Sequence, residues 1–103
     1  MEHASRQTVE LAETFRLLGD VTRLRIVLAC SEGAACVGDI AAKLGQSPSL
    51  VSHHLRLLRA QRLVRAERRG KQIFYSLADA HIERVIADMR QHIDEAVAEY
   101  RAA

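Results

Sequence analysis

A mostly helical domain carrying one β-hairpin is what this 103-residue sequence predicts. Three observations carry that reading. Glycine and proline at Gly19, Gly33, Gly38, Gly45, Pro48 and Gly70 divide the chain into segments of helical length. Apolar residues within those segments recur every three or four positions, the spacing of one helical face. Between residues 63 and 77 the pattern changes to two short runs rich in β-branched and aromatic residues on either side of a glycine. The length fits a single domain over residues 1–103. Hydrophobic residues make up 49% and charged ones 27%, a globular balance that excludes a disordered or fibrous chain.

Val9, Ala12, Phe15 and Leu18 mark a first helix, and Leu24, Ile26, Val27 and Leu28 a shorter second one ahead of Gly33. Residues 39–44, with Ile40, Ala41 and Leu44 apolar, predict a third helix of barely two turns that stops at Gly45. Ser47 then stands as an N-cap with Pro48 at the first helical position, where both residue types are favoured. Leu50, Val51, Leu55, Leu57 and Leu58 carry that fourth helix onward. Residues 63–68 and 72–77 read as a hairpin with Arg69, Gly70 and Lys71 at its tip. From 79 to 100 the helical period returns. Ile82, Ile86, Met89, Ile93, Ala96 and Tyr100 are spaced 4, 3, 4, 3, 4, the seam of a helix that meets another helix. The expected order is α-α-α-α-β-β-α.

The net charge of +2 hides a segregation. Residues 47–71 carry seven Lys or Arg (Arg56, Arg59, Arg62, Arg65, Arg68, Arg69 and Lys71) against one acid, Glu67. A block of that sign points to a polyanionic partner. Two short helices joined by Gly45, Gln46 and Ser47 describe a helix-turn-helix, and the hairpin after it makes the unit winged. A helix enters the major groove with its first turns against base edges. Ser49, Ser52 and His53 are placed there, able to donate and accept hydrogen bonds. Arg56 and the wing residues Arg68, Arg69 and Lys71 would lie along phosphates, giving an affinity that falls steeply with salt.

The run CVGDIAAKLGQSPSLVSHHLRLLRAQRLVRAERRGKQIFYSL, residues 36–77, resembles the ArsR/SmtB family of metal-responsive winged-helix repressors, most specifically in VSHHLRLLR at residues 51–59. The upstream LLGDVTRLRI at 17–26 is similar to that family's entry into its second helix, and the resemblance extends over roughly residues 9–100. It implies a homodimer through the first and last helices that represses by binding double-stranded operator DNA.

Four donors on or beside the last helix predict a metal site. Asp79 and His81, then His92 and Glu95, offer two carboxylates and two imidazoles, a set that suits tetrahedral zinc or cobalt, with nickel not separable from these donors alone. His81 and His92 lie eleven residues apart, about 16 Å along a helix, so one helix cannot bring all four to one ion. Two antiparallel copies can, by bringing His81 of one chain to His92 of the other, which predicts two equivalent sites bridging the subunits. His92 and Glu95 share a helical face at i and i+3. Asp79 and His81, at i and i+2, cannot chelate within a regular helix, so Asp79 must stand at the helix boundary, where aspartate is a good cap. The spacing is also that of the zinc-sensing branch of the family, whose inducer site on the last helix the resemblance carries over at every position.

The two cysteines offer an alternative signal. Cys30 and Cys36 could form a thiol switch for oxidants or reactive sulfur, although core packing for Cys30 and a loop position for Cys36 account for them more simply. His3 stands near the N-terminus as an optional further ligand. No glycine-rich phosphate loop or nucleophile motif points to an enzyme. The longest apolar run, residues 26–30, is far too short to span a membrane, and the opening MEHASRQ lacks an apolar signal segment, so the expected location is the cytoplasm.

Overall fold

The computed structural model describes residues 4–102 of the chain. Its elements are α1 (Arg6–Leu18), α2 (Val21–Ser31), β1 (Ala35–Cys36), α3 (Val37–Leu44), α4 (Pro48–Ala60), β2 (Val64–Arg69), β3 (Gln72–Leu77) and α5 (Ala80–Ala102). The winged helix-turn-helix read from the sequence is the fold, with one addition. The hairpin is the larger part of a three-stranded antiparallel sheet of order β1-β3-β2. Cys36, expected in a loop, instead faces Phe74 across a ladder in which Ala35 faces Tyr75. Two residues are too few to show a strand period. What makes them a strand is the free edge of β3, a partner some 40 residues away that local pattern cannot reveal. The strand also moves the start of α3 back to Val37, with Cys36 as its extended N-cap residue.

Side chains and special backbone positions set the remaining boundaries. Ser5 Oγ accepts from Thr8 N–H at 3.1 Å at the start of α1, and Asp20 Oδ2 accepts from Arg23 N–H at 2.9 Å at the start of α2. Arg23 Nε reaches back to donate to Leu17 O at 2.9 Å, tying the end of α1 to the start of α2. α3 stops at Gly45, whose φ of 66° is left-handed. Ser47 caps α4 as the sequence indicates, accepting from Leu50 N–H at 3.1 Å, with Pro48 beside it. In the hairpin Val64 faces Leu77 and Arg69 faces Gln72, so the turn narrows to Gly70 and Lys71.

The core is built around α2. Ile26, Val27 and Cys30 pack with Ile40 and Leu44 of α3, Val51, Leu55 and Leu58 of α4, and Leu63 and Val64 where β2 begins. Each aliphatic side chain so buried stabilises the fold by about 1.5–3 kcal/mol. α1 and α5 differ sharply from this centre. α1 buries only Leu17, while Val9, Leu11 and Phe15 of its apolar stripe remain exposed. α5 buries no residue over 23 positions. Ile82 and Ile86 rest half-buried against the core, and Val85, Met89, Ile93, Val97 and Tyr100 stand exposed.

Candidate nucleic-acid interface and metal ligands

α4 separates its faces cleanly. Val51, Leu55 and Leu58 are buried, while Ser49, His53, Arg56 and Arg59 are exposed and Ser52 is half-buried. The two histidines differ. His53 faces outward, whereas His54 is half-buried, its ring 5.5 Å from that of His53 and its Nδ1 buried without a hydrogen-bond partner. Burial, and then the nearby Arg23 guanidinium, pull the His54 imidazole below its usual range, so it is neutral at neutral pH and serves the packing of α4. His53 is the one free to meet a ligand.

The wing carries its cations at the tip. Arg68, Arg69 and Lys71 are all exposed. Arg68 Nε donates to Gly70 O at 3.2 Å, and Arg69 lies 5.0 Å over the Phe74 ring with its Nη2 3.4 Å from Glu67 Oε2. A guanidinium held over an aromatic face keeps its charge while losing rotamer freedom. Arg65 Nε is turned onto Ser76 Oγ at 3.1 Å. Arg56, Arg59 and Lys71 have no ion-pair partner among the described residues. The fold thus joins the exposed polar turn of α4 and the cationic wing tip to one sheet-and-helix unit, a surface with the polarity and charge that nucleic acid requires.

At the other end of the chain Asp79 precedes α5 and caps it. Its Oδ1 accepts from His81 N–H at 2.9 Å and Ile82 N–H at 3.3 Å, and His81 Nδ1 lies 3.4 Å from the same oxygen. The Ile82 and His81 amides, with the neighbouring imidazole, hold the Asp79 carboxyl below the ordinary carboxylate range. Asp79 Oδ2 carries no hydrogen bond among the described residues, so the cap leaves one oxygen available to a ligand. His92 and Glu95 stand exposed farther along α5, where Gln91 Nε2 donates to Glu95 Oε1 at 3.0 Å. The fold brings Asp79 to His81, but among the described residues of one chain no three His, Cys, Asp or Glu side chains gather closely enough to hold a metal.

Both cysteines are free and buried. Burial pushes the Cys30 thiol up to about 11, which keeps it protonated and poorly nucleophilic near neutral pH. His3 lies outside the described residues. Among those residues no helix is long and apolar enough to cross a membrane. One meeting of side chains was not legible from pattern. Gln61 and Arg62, at the end of α4, hydrogen-bond Glu10 and Thr14 of α1. They lie about fifty residues apart in sequence, and only the tertiary fold brings them together.

Residues 20–66 match the family described as bacterial regulatory protein, arsR family. The chain is 43% identical over 89 residues to a transcriptional repressor SmtB homolog of Synechocystis sp., covering 86% of this chain and 67% of that protein. It is 36% identical over 84 residues to a cadmium resistance regulatory protein CadC homolog of Staphylococcus aureus, covering 81% and 69%. Among solved structures, the homodimeric winged helix-turn-helix DNA-binding domain of a Mycobacterium bovis protein superposes with a TM-score of 0.80 at 26% identity, covering 92% of this chain and 91% of that one. Sequence identity across most of its length and a shared fold lead to one assignment: the chain belongs to the arsR family, as a winged helix-turn-helix transcriptional regulator and not an enzyme.

Proposed function

We propose that this regulator is a metal-responsive repressor that binds operator DNA as a homodimer and releases it when zinc, or cobalt or nickel, occupies sites shared between the subunits. The observation that carries the metal assignment is the Asp79 cap. By standing outside α5 it sets its carboxylate beside His81 at 3.4 Å and keeps Oδ2 free, which two positions inside a regular helix cannot do. Asp79 and His81 from one chain, with His92 and Glu95 of the partner subunit, then supply two oxygens and two nitrogens. When bound, the metal would supply a cross-link between the two copies of α5. The names of the relatives agree with a metal effector without choosing among metals, since one is a SmtB homolog and another a cadmium resistance regulator.

Dimerisation is supported by the exposed apolar residues of α1 and α5, which nothing among the described residues of one chain covers, and by the Mycobacterium bovis neighbour, which is itself homodimeric. In the proposed dimer two copies of α4 enter successive major grooves. Ser49, Ser52 and His53 meet base edges, while Arg56, Arg68, Arg69 and Lys71 lie on phosphates. The coupling is reciprocal, so operator DNA must weaken metal binding by the factor by which metal weakens DNA binding.

The test is a zinc titration of the purified protein under reducing conditions, followed by fluorescence anisotropy on its own promoter DNA. One tight zinc per subunit and at least about tenfold weaker DNA binding are expected, the usual size of such coupling. Both should be lost in His81→Ala and His92→Ala. Zinc that binds both variants as tightly as the parent would overturn the site; DNA binding indifferent to zinc would overturn the sensing.

A further inference from the structure

The end of α4 is fastened to α1 by a directional contact. The helix closes with Arg62 N–H donating to Arg59 O at 2.9 Å and Leu63 N–H to Leu58 O at 2.9 Å, the pair of bonds that ends a helix on a left-handed residue. α3 ends in the same way on Gly45, with Gln46 N–H on Ala41 O at 3.0 Å. In α4 the left-handed residue is Arg62, at φ 59°, the only residue other than glycine with positive φ among the described residues. A side chain is disfavoured in that conformation, so neighbouring contacts must hold it. The closing backbone bonds and the buried Leu63 hold it from within, and α1 adds side-chain contacts beside it. Gln61 Nε2 donates to Glu10 O at 3.2 Å and to Thr14 Oγ1 at 3.3 Å, Thr14 Oγ1 donates to Glu10 O at 3.0 Å, and Arg62 Nη2 lies 3.4 Å from Glu10 Oε2.

We infer that Gln61, with Thr14 and the Glu10 carbonyl, is a positioning clamp that sets the pose of α4 against α1 and thereby the half-site spacing the dimer accepts. The inference rests on the operator-binding dimer proposed above. α1 presents Leu11 and Phe15 on the face left exposed in one chain, and on the adjacent face, one residue round the helix, accepts the Gln61 amide at Glu10 and Thr14. The reading helix is therefore joined to the dimerisation helix by hydrogen bonds as well as by the core. Apolar packing of Val51, Leu55 and Leu58 tolerates a small tilt, whereas a primary amide bonded to two acceptors does not. The lever is long. α4 has 13 residues, about 20 Å at 1.5 Å each, so a tilt of about 5° at Gln61 moves the first turn by more than about 1 Å. That displacement is enough to break a hydrogen bond to a base edge, and it occurs once in each half-site.

The experiment uses the full chain and an operator selected from random DNA by the parent protein. Its half-sites are then moved apart and together by one and two base pairs. Parent affinity should drop about tenfold or more with each change, because half-site spacing is fixed by the dimer. Gln61→Ala and the isosteric Gln61→Glu, which cannot donate, should flatten the profile to within about threefold, as should Thr14→Val, while Thr14→Ser keeps it sharp. The dimerisation constant and the affinity for random DNA should stay unchanged in all four. Variants that weaken binding equally at every spacing, leaving the profile sharp, would show a merely structural contact and overturn the clamp while leaving the operator reading intact. A parent protein that selects no sequence would overturn both.

Discussion

Cys30 is 2% exposed in the central cluster with Ile26, Val27 and Leu58, and its thiol is pushed up to about 11 by that burial. In the unfolded chain the same thiol ionises near its ordinary value of 9.0. Between the two values the folded protein holds a proton that the unfolded chain releases, so stability must fall as pH rises through that window. The slope contributed by one such group approaches about 1.4 kcal/mol per pH unit. Urea denaturation at pH 8, 9 and 10 should show a steeper loss for the parent than for Cys30→Ala; equal slopes would mean the thiol is not desolvated. The same burial argues against Cys30 as a fast redox sensor. His53 and His54 show how one residue's place on a helix decides its chemistry. They are neighbours in sequence, yet one faces solvent and the other is kept neutral by packing.

Helix termini carry most of the legible information at the scale of the element. Ser47-Pro48 and Gly45 mark the boundaries of α4 and α3 because capping and left-handed stops depend on residue type and little on context. Asp79 is read equally well as a cap, and the ligand role proposed for it can be separated from capping. Asparagine caps a helix about as well as aspartate but replaces the free Oδ2 with an amide nitrogen that cannot ligate. Asp79→Asn should therefore leave unfolding free energy within about 0.5 kcal/mol of the parent, because the cap survives. Zinc affinity should fall at least about tenfold, the cost of losing one ligand contact being no smaller than that of losing its orienting partner. An unchanged zinc affinity would remove Asp79 from the site. β1 is the element the sequence does not disclose, since Ala35 and Cys36 become a strand only by meeting Tyr75 and Phe74.

For the molecule as a whole, the radius of gyration is 15.8 Å, whereas a compact chain of this length would have one near 13 Å. The excess reflects α5, 23 residues long and without one buried side chain, extending from the body. Such a helix, with Met89, Ile93 and Val97 exposed on it, is unfinished as a monomer. Ile93→Asp should raise the dimer dissociation constant about a hundredfold, because a carboxylate would be buried unpaired at the interface proposed on α5. Sedimentation should then show monomer at micromolar concentration, with operator affinity reduced while far-ultraviolet circular dichroism is preserved. A dimer as tight as the parent's would place the interface elsewhere than α5.

What the sequence by itself determined is everything governed by local pattern: five helices, the hairpin, the basic block, and the two donor pairs with the spacing that forbids their meeting within one helix. Helical period, capping preference and charge sign act over a few residues, so they can be read without coordinates. Tertiary structure alone decided which apolar residues form the core and which stripe stays open, since Phe15 and Ile40 look alike in sequence and differ only in what packs against them. It also decided the edge pairing of β1 and the meeting of Gln61 with Glu10 and Thr14. Contacts across forty or fifty residues depend on how the whole chain closes, and no local preference encodes them.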